Sequence, residues 1–340
     1  MHFLDDIDKM RDFVTLTKEE FLEAYSYLTE AEYNETQDAY AEIADKASPE
    51  IVEPTAEKLT DEYPVKLIER AYRTCYQSTN KMCDGSESLI KRCLYPENGG
   101  APHTSPLEHV AVSLECDAIV TAVIASASKA QQYSYLQITG DRVVGNLRAF
   151  WDCWHWLAGN SSLTTAVVLN RAFAKAFPAI FKDEFKGFAV DFRTVEDPIR
   201  LPASQFNTFR IVTTRDILQE FARHRALSFS VESTRYCNYL KRGTKVVRPV
   251  PYDWAYEPEN PQFNLWYNNC QAACINYALW LKAGGKPEEA RMILPGSMKT
   301  EFIVSGFTKG WNNFLDLRLD KTAHPQIRLL AEQIKELLEN

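Results

Sequence analysis

From residue 223 to residue 236 the chain reads Arg-His-Arg-Ala-Leu-Ser-Phe-Ser-Val-Glu-Ser-Thr-Arg-Tyr. Arg223, His224 and Arg225 put two permanent cations and one titratable ring on successive positions. Arg235 adds a third guanidinium, and Ser228, Ser230, Ser233 and Thr234 supply hydroxyls between them. Planar guanidinium forks interleaved with hydroxyls suit the grip of phosphates and of a planar heterocycle, because a guanidinium bonds an oxyanion through two parallel N–H groups. A solvated basic face would have the same composition, so the setting of the run decides its meaning.

The elements around the run would turn it into one cleft. Thr214 to Ala222 reads as a helix: Ile217, Leu218 and Phe221 form one apolar stripe, Thr213 or Thr214 offers a cap, and Asp216 falls in the first turn. Arg223 to Arg225 then sit in the last turn, where the helix dipole favours positive charge. Ser228 to Val231 alternates like a short strand. The site therefore belongs to a helix-to-strand corner.

This pattern resembles the signature of the flavin-dependent thymidylate synthases, commonly Arg-His-Arg-x-x-Ser-x-Asn-x-x-Ser-x-Arg-Tyr. Ser230 stands in the Asn position, and Val231 stands where that family has Glu or Gln. Two further blocks follow the family order. Val65–Ser78 resembles its opening helix, and Ser105-Pro106-Leu107-Glu108-His109 its Ser-Pro-x-Glu-His element. Ala290-Arg291-Met292-Ile293-Leu294-Pro295 and Asn313-Phe314-Leu315-Asp316-Leu317-Arg318 resemble its Ala-Arg-x-x-Leu-Pro and closing Asn-Phe-Leu-x-Leu-Arg helix. Phe307 and Lys309 stand where the family has Asn and Arg. The resemblance covers about 65–116, 212–242 and 284–331.

The resemblance implies methylation of C5 of dUMP to dTMP with methylenetetrahydrofolate as one-carbon donor, FAD as redox carrier and NADPH as reductant. It assigns catalysis to Arg318. Substrate contacts fall to Glu220, Arg223, Ser233, Thr234, Arg235, Arg291 and Arg318. Cofactor contacts fall to His109, Arg223, His224, Arg225, Val231, Lys309 and Asn313. It implies a homotetramer with dUMP and folate as small-molecule partners, no nucleic acid and no membrane. Methylation of another pyrimidine nucleotide such as UMP, or a non-catalytic nucleotide- or nucleic-acid-binding homologue, is the alternative. No basic arm or nucleic-acid motif supports the last.

The implied fold is α+β, with long helices around an antiparallel or mixed sheet in residues 63–340. An acidic helical extension over 1–62 precedes it, and a large helical insertion over 118–205 interrupts it. The formal net charge is −8. Residues 1–64 hold 5 Lys and Arg against 18 Asp and Glu, so they carry −13 and the remainder +5. Thr17 to Glu20 predicts a capping box opening a helix through Tyr27, and a second acidic helix is expected over Glu30–Ala44. Pro54, Pro64 and the polar residues between read as a linker, and the acidic arm as a solvated appendage. Within the insertion, Trp151, Trp154 and His155 at helical spacing are expected in the core rather than as a stacking platform, and Arg148 is a candidate to reach the site that its position in the sequence does not decide.

The remaining sequence features limit other classes. With 45% hydrophobic residues the chain can bury a sizeable core. No apolar run follows Met1, and Ala118–Ala127 is too short to span a bilayer, so a cytoplasmic protein is expected. The eight cysteines are expected to be reduced thiols. Cys270 and Cys274 lie four apart on an expected helix, but no second pair completes a zinc set, and no metal is expected.

Overall fold

The computed structural model describes residues 7–83, 86–130, 136–160, 162–190 and 195–339; the reading at Met1 lies outside them. In chain order the elements are α1 Ile7–Thr15, α2 Lys18–Ala24, α3 Glu30–Ala47, β1 Glu50–Val52, β2 Thr55–Lys58, α4 Pro64–Cys75 and α5 Glu87–Leu94. A 3-10 turn over Ser105–His109 leads into β3 Ala111–Glu115. Then come α6 Ala118–Ala130, β4 Gln137–Thr139, β5 Arg142–Asn146, α7 Leu147–Gly159, α8 Leu163–Ala176 and β6 Ile199–Arg200. The C-terminal part holds β7 Phe206–Thr214, α9 Arg215–Ala222, β8 Ser228–Val231, α10 Tyr239–Arg242, β9 Lys245–Val247, α11 Pro261–Lys282, α12 Pro287–Ala290, β10 Lys299–Phe307, α13 Thr308–Arg318 and α14 Pro325–Glu339.

The central sheet has the order β2-β7-β10-β8, every pair antiparallel. Strands β7 and β10 pair over nine residues, from Lys299 opposite Thr214 to Phe307 opposite Phe206. Side chains alternate across a strand, so Phe302 and Val304 of β10 and Phe209 and Ile211 of β7 face one core. That core is closed by Ile217 and Phe221 of α9, Trp311 and Phe314 of α13, and Ile327, Leu330 and Ile334 of α14. The opposite face presents Ile303 to a second core and the polar residues Thr208, Arg210, Glu301 and Ser305. The result is the expected α+β architecture.

The insertion departs from the purely helical expectation. Its helices α6, α7 and α8 are present, but it also contributes β4, β5 and β6 to a second antiparallel sheet of order β4-β5-β3-β6. Trp151 and Trp154 of α7 are 5% and 0% exposed, as expected of core residues, whereas His155, expected with them, is exposed and turns its Nε2 to Glu184 at 2.9 Å, because its two ring nitrogens need polar partners. Phe150, Phe173 and Phe181 pack with the two tryptophans; burying such a side chain contributes about 1.5–3 kcal/mol.

The N-terminal reading is also corrected. The capping box at Thr17 and Glu20 is present, though its helix stops at Ala24, and α3 is capped the same way by Thr29 and Glu32. Within the stretch read as a linker, Thr55–Lys58 instead forms β2, the edge of the central sheet; β1, just before that stretch, runs parallel to β9. Nor is the arm a free appendage. Phe13 and Phe21 are buried against Leu279 of α11, and Gln271 of α11 donates to Ser48 Oγ at 2.9 Å.

Candidate active site

The corner expected from the sequence forms. Thr214 Oγ1 accepts from Ile217 N at 3.1 Å and opens α9, which ends at Arg223. At eight residues α9 is too short to persist alone; Ile217 and Phe221 in the sheet-facing core hold it. Arg223 caps the helix, so His224 and Arg225 fall in the turn beyond it rather than in its last turn. That turn rests on two glycines. A Cβ on Gly306 would lie 2.4 Å from Leu227 Cδ2, and one on Gly310 3.3 Å from Ala226 Cβ.

Arg318 leaves α13 beside this turn, 14% exposed at its side chain. Its Nη1 donates to Glu220 Oε2 at 2.6 Å, its Nη2 to the Glu220 carbonyl at 2.9 Å, and its Nε to His224 Nε2 at 2.8 Å. Arg318 forms no ion pair with nearby Asp320, which accepts from Thr322 instead. A guanidinium has five N–H groups, so three are tied and two remain for a ligand. Because His224 Nε2 accepts, the ring must be neutral. Burial and the Arg318 charge agree with this, lowering the His224 pKa to about 4 against a smaller opposing effect of Glu220. The ring edge rests on Phe314 at 4.9 Å.

Arg223 and Arg225 are exposed. Arg223 reaches Glu220 only at 3.5 Å, and Arg225 has no hydrogen-bond partner among the described residues. Lys309 and Asn313, on exposed positions of α13, likewise have none among them. This face of the turn is a set of exposed donors left largely unsatisfied by the described residues.

A second group lies past the other end of β8, four residues or about 13 Å along the strand. Ser233 N donates to the Cys75 carbonyl at 3.0 Å, and Ser233 Oγ accepts from Arg235 N at 3.3 Å. Arg235 lies over the Tyr236 ring at 4.7 Å and 3.6 Å from Glu288. Arg291 reaches Thr234 Oγ1 only at 3.5 Å. Among the described residues no hydrogen bond or ion pair joins this group to the Arg318 group.

His109 is 1% exposed and bonds Ser230 of β8, the strand between the two groups. Its Nδ1 meets Ser305 Oγ at 2.7 Å and its Nε2 meets Ser230 Oγ at 2.8 Å, and burial lowers its pKa to about 3. Ser230, at the family's Asn position, thus points inward to His109. Val231 points the other way and packs on the sheet-facing core. Arg148, expected close to the site, is held by ion pairs with Glu108 and Asp152.

The sequence reading missed a buried ionic chain on the same face of the sheet. Glu232, 4% exposed, accepts from Gln77 at 2.6 Å, Tyr239 at 2.7 Å and Lys299 at 2.8 Å. Lys299 also reaches Glu301 at 3.2 Å, and Arg210 closes on Glu301 with two bonds of 2.8 and 3.0 Å. Burial alone would depress Lys299, but Glu232 and Glu301 outweigh it and hold its pKa above the ordinary value. No local signal could have found this chain, because its members lie on β7, β10 and the residue after β8.

Burial pushes the thiols of Cys75, Cys237 and Cys270 up to about 11 and those of Cys116, Cys153 and Cys274 to about 12, which keeps them protonated and weakly nucleophilic. Among the described residues no group of three or more His, Cys, Asp or Glu could hold a metal ion. No helix among them is long and apolar enough to cross a membrane.

Cations thus gather at both ends of strand β8. Residues 205–340 match the family described as thymidylate synthase complementing protein. Named relatives agree. The chain is 33% identical over 129 residues to the flavin-dependent thymidylate synthase of Wolinella succinogenes, covering 37% of this chain and 62% of that one. It is 30% identical over 149 residues to that of Tropheryma whipplei, covering 38% and 62%. With that of Haloarcula marismortui it is 26% identical over 144 residues, covering 36% and 58%. The chain thus spans about 60% of the length of these curated relatives. Through this part it is similar to the flavin-dependent thymidylate synthases.

Proposed function

We propose that this protein methylates C5 of dUMP to give dTMP, taking the one-carbon unit from methylenetetrahydrofolate, with FAD as redox carrier and NADPH as reductant. The observation that carries this reading is the placement of Arg318: fixed by Glu220 and His224, yet with two N–H groups left. C5 of uracil is a poor nucleophile until negative charge can build on the ring. A preplaced cation in a partly desolvated corner stabilises that charge without reorganising during the step. The high thiol pKa values fit a route that does not begin with cysteine attack on the ring.

The residues present fit a flavin dinucleotide. Arg223 and Arg225 would hold its phosphates, with Lys309 and Asn313 alongside from α13; His224 and His109 would support the site from beneath. At the two positions where the family has side chains for this purpose, Val231 and Phe307 pack on apolar neighbours instead. Bound flavin would supply the hydride chemistry, and the protein the orientation. Ser233, Thr234, Arg235 and Arg291 would take the substrate phosphate and sugar, and Glu220 a substrate N–H. Because these two groups do not meet within one chain, a second copy in a homotetramer would bring them together.

Incubation of the full chain with FAD, NADPH, methylenetetrahydrofolate and dUMP tests the proposal by dTMP formation. Product with dUMP and none with UMP is expected. Flavin-loaded protein that makes no dTMP would overturn the activity, and product from UMP alone would change the substrate.

A further inference from the structure

A cleft of about 250 Å³ opens between the start of α9, the segment after β9 and the start of α14. Apart from Glu220, its wall takes no part in the proposed reaction. Four of its residues carry chemistry. Gln326 is 4% exposed, and its side-chain Nε2 has no partner among the described residues. An unmade buried donor is unfavourable, so a ligand acceptor placed here would satisfy it. Asp216 is exposed and lies directly over Gly296, where a Cβ would come within 2.0 Å of its Oδ2. The carboxylate has no hydrogen-bond or ion-pair partner among the described residues.

The other two residues define a plane and a polarity. The Tyr252 ring stacks on Trp254 with centroids 5.9 Å apart and planes 16° from parallel, a stiffened flat wall. His324 Nδ1 accepts from Gln326 N at 3.2 Å, which leaves its Nε2 to donate. No Lys or Arg is among the described residues lining the cleft, while Asp216 and Glu220 both are. A phosphate would be repelled. A neutral planar ligand with a donor and an acceptor side by side would satisfy Asp216 and Gln326 together.

We propose that this cleft binds a neutral nucleoside through the lactam edge of its base, the ring N–H facing Asp216 and the neighbouring carbonyl facing Gln326, with the base plane against Tyr252. Guanine fits best, because its exocyclic amino group beside the ring N–H lets it engage both oxygens of a carboxylate. Adenine has neither the ring N–H nor the carbonyl on that edge. A site built to hydrogen-bond such groups rejects the analogue lacking them, since its own polar groups are then left unpaired.

Titration calorimetry of the full chain with guanosine, adenosine and guanosine 5′-monophosphate tests this. Guanosine is expected to saturate at one per chain, with adenosine and the monophosphate each at least tenfold weaker. Gln326→Leu removes an unpaired donor, so it should keep the melting temperature and lose at least tenfold in guanosine affinity. Tyr252→Ala, on a half-exposed ring, should weaken guanosine similarly. Absence of saturable guanosine binding, equal binding of adenosine, or undiminished binding by Gln326→Leu would overturn the assignment. Competitive displacement of guanosine by dUMP would also overturn it, by making the cleft part of the substrate site. Neither result depends on whether the chain makes dTMP.

Discussion

The buried ionic chain of Glu232, Lys299, Glu301 and Arg210 and the rim of Arg223, Arg225, Arg235 and Arg291 both carry permanent cations and put them to opposite uses. In the first, Lys299 is 14% exposed and Glu232 1% at their side chains, and the charges are answered by one another. In the second, Arg223 is 73% and Arg235 56% exposed, with contacts of 3.5 Å or longer to carboxylates. A charge saturated by protein ties β8 to β10 and has nothing left for a ligand. A charge held in place but unsaturated is available for one. Arg318 lies between the two: three donors fix it, and two remain.

This contrast predicts losses of different kinds. Lys299→Met strands Glu232 and Glu301 in the interior and is expected to destabilise by about 3–5 kcal/mol, read by chemical denaturation. The paired change Lys299→Met with Glu232→Gln should recover part of that loss; no recovery would contradict the ion-pair account.

Acid should also act on the interior. The folded pKa values of His109, about 3, and His224, about 4, lie below the ordinary 6.5. Both rings are therefore neutral in the fold, and the stability this confers is full above pH 6.5 and lost as pH falls towards 3–4. For His109 the loss is on the order of 4 kcal/mol by pH 3. Denaturation between pH 7 and 4 should show the slope, and His109→Asn should flatten it.

On the rim, effects should appear in binding and turnover while stability holds. Arg318→Ala is expected to keep its flavin and lose about 10²–10³-fold in kcat, the range for removing one preorganised charge-stabilising donor. Arg225→Ala should leave denaturation unchanged and weaken FAD binding about tenfold or more, as loss of a charge-assisted pair of about 1.5–3 kcal/mol implies. The smallest effect belongs to the acidic arm, where Thr29→Ala removes the cap of α3 and should cost about 1 kcal/mol.

The legible parts of the molecule are those whose signals are local. The cap at Thr214, the stripe of Ile217 and Phe221 and the alternation from Ser228 to Val231 each fall within a few residues, and α9 and β8 formed where expected. The stretch from Pro54 to Lys58 misled because its strand is stabilised from far away. β2 pairs with β7, 151 to 157 positions later, as β1 just before it pairs with β9, 195 positions later, and an edge strand tolerates polar residues and a neighbouring Pro54. The strands β4 and β6, three and two residues long, are too short to show a period. In the site, residue types were legible but not their partners. Nothing near His109 in sequence announces Ser230 and Ser305, and nothing near Lys299 announces Glu232.

The most direct test of the account is the visible absorption spectrum of the purified full chain with FAD added, followed through addition of NADPH with and without dUMP. The account predicts a protein-bound flavin spectrum that bleaches faster when dUMP is present, since substrate and flavin are to share the site around Arg318. Failure to bind flavin at any FAD concentration would contradict it, and would mean that the exposed arginines serve another ligand.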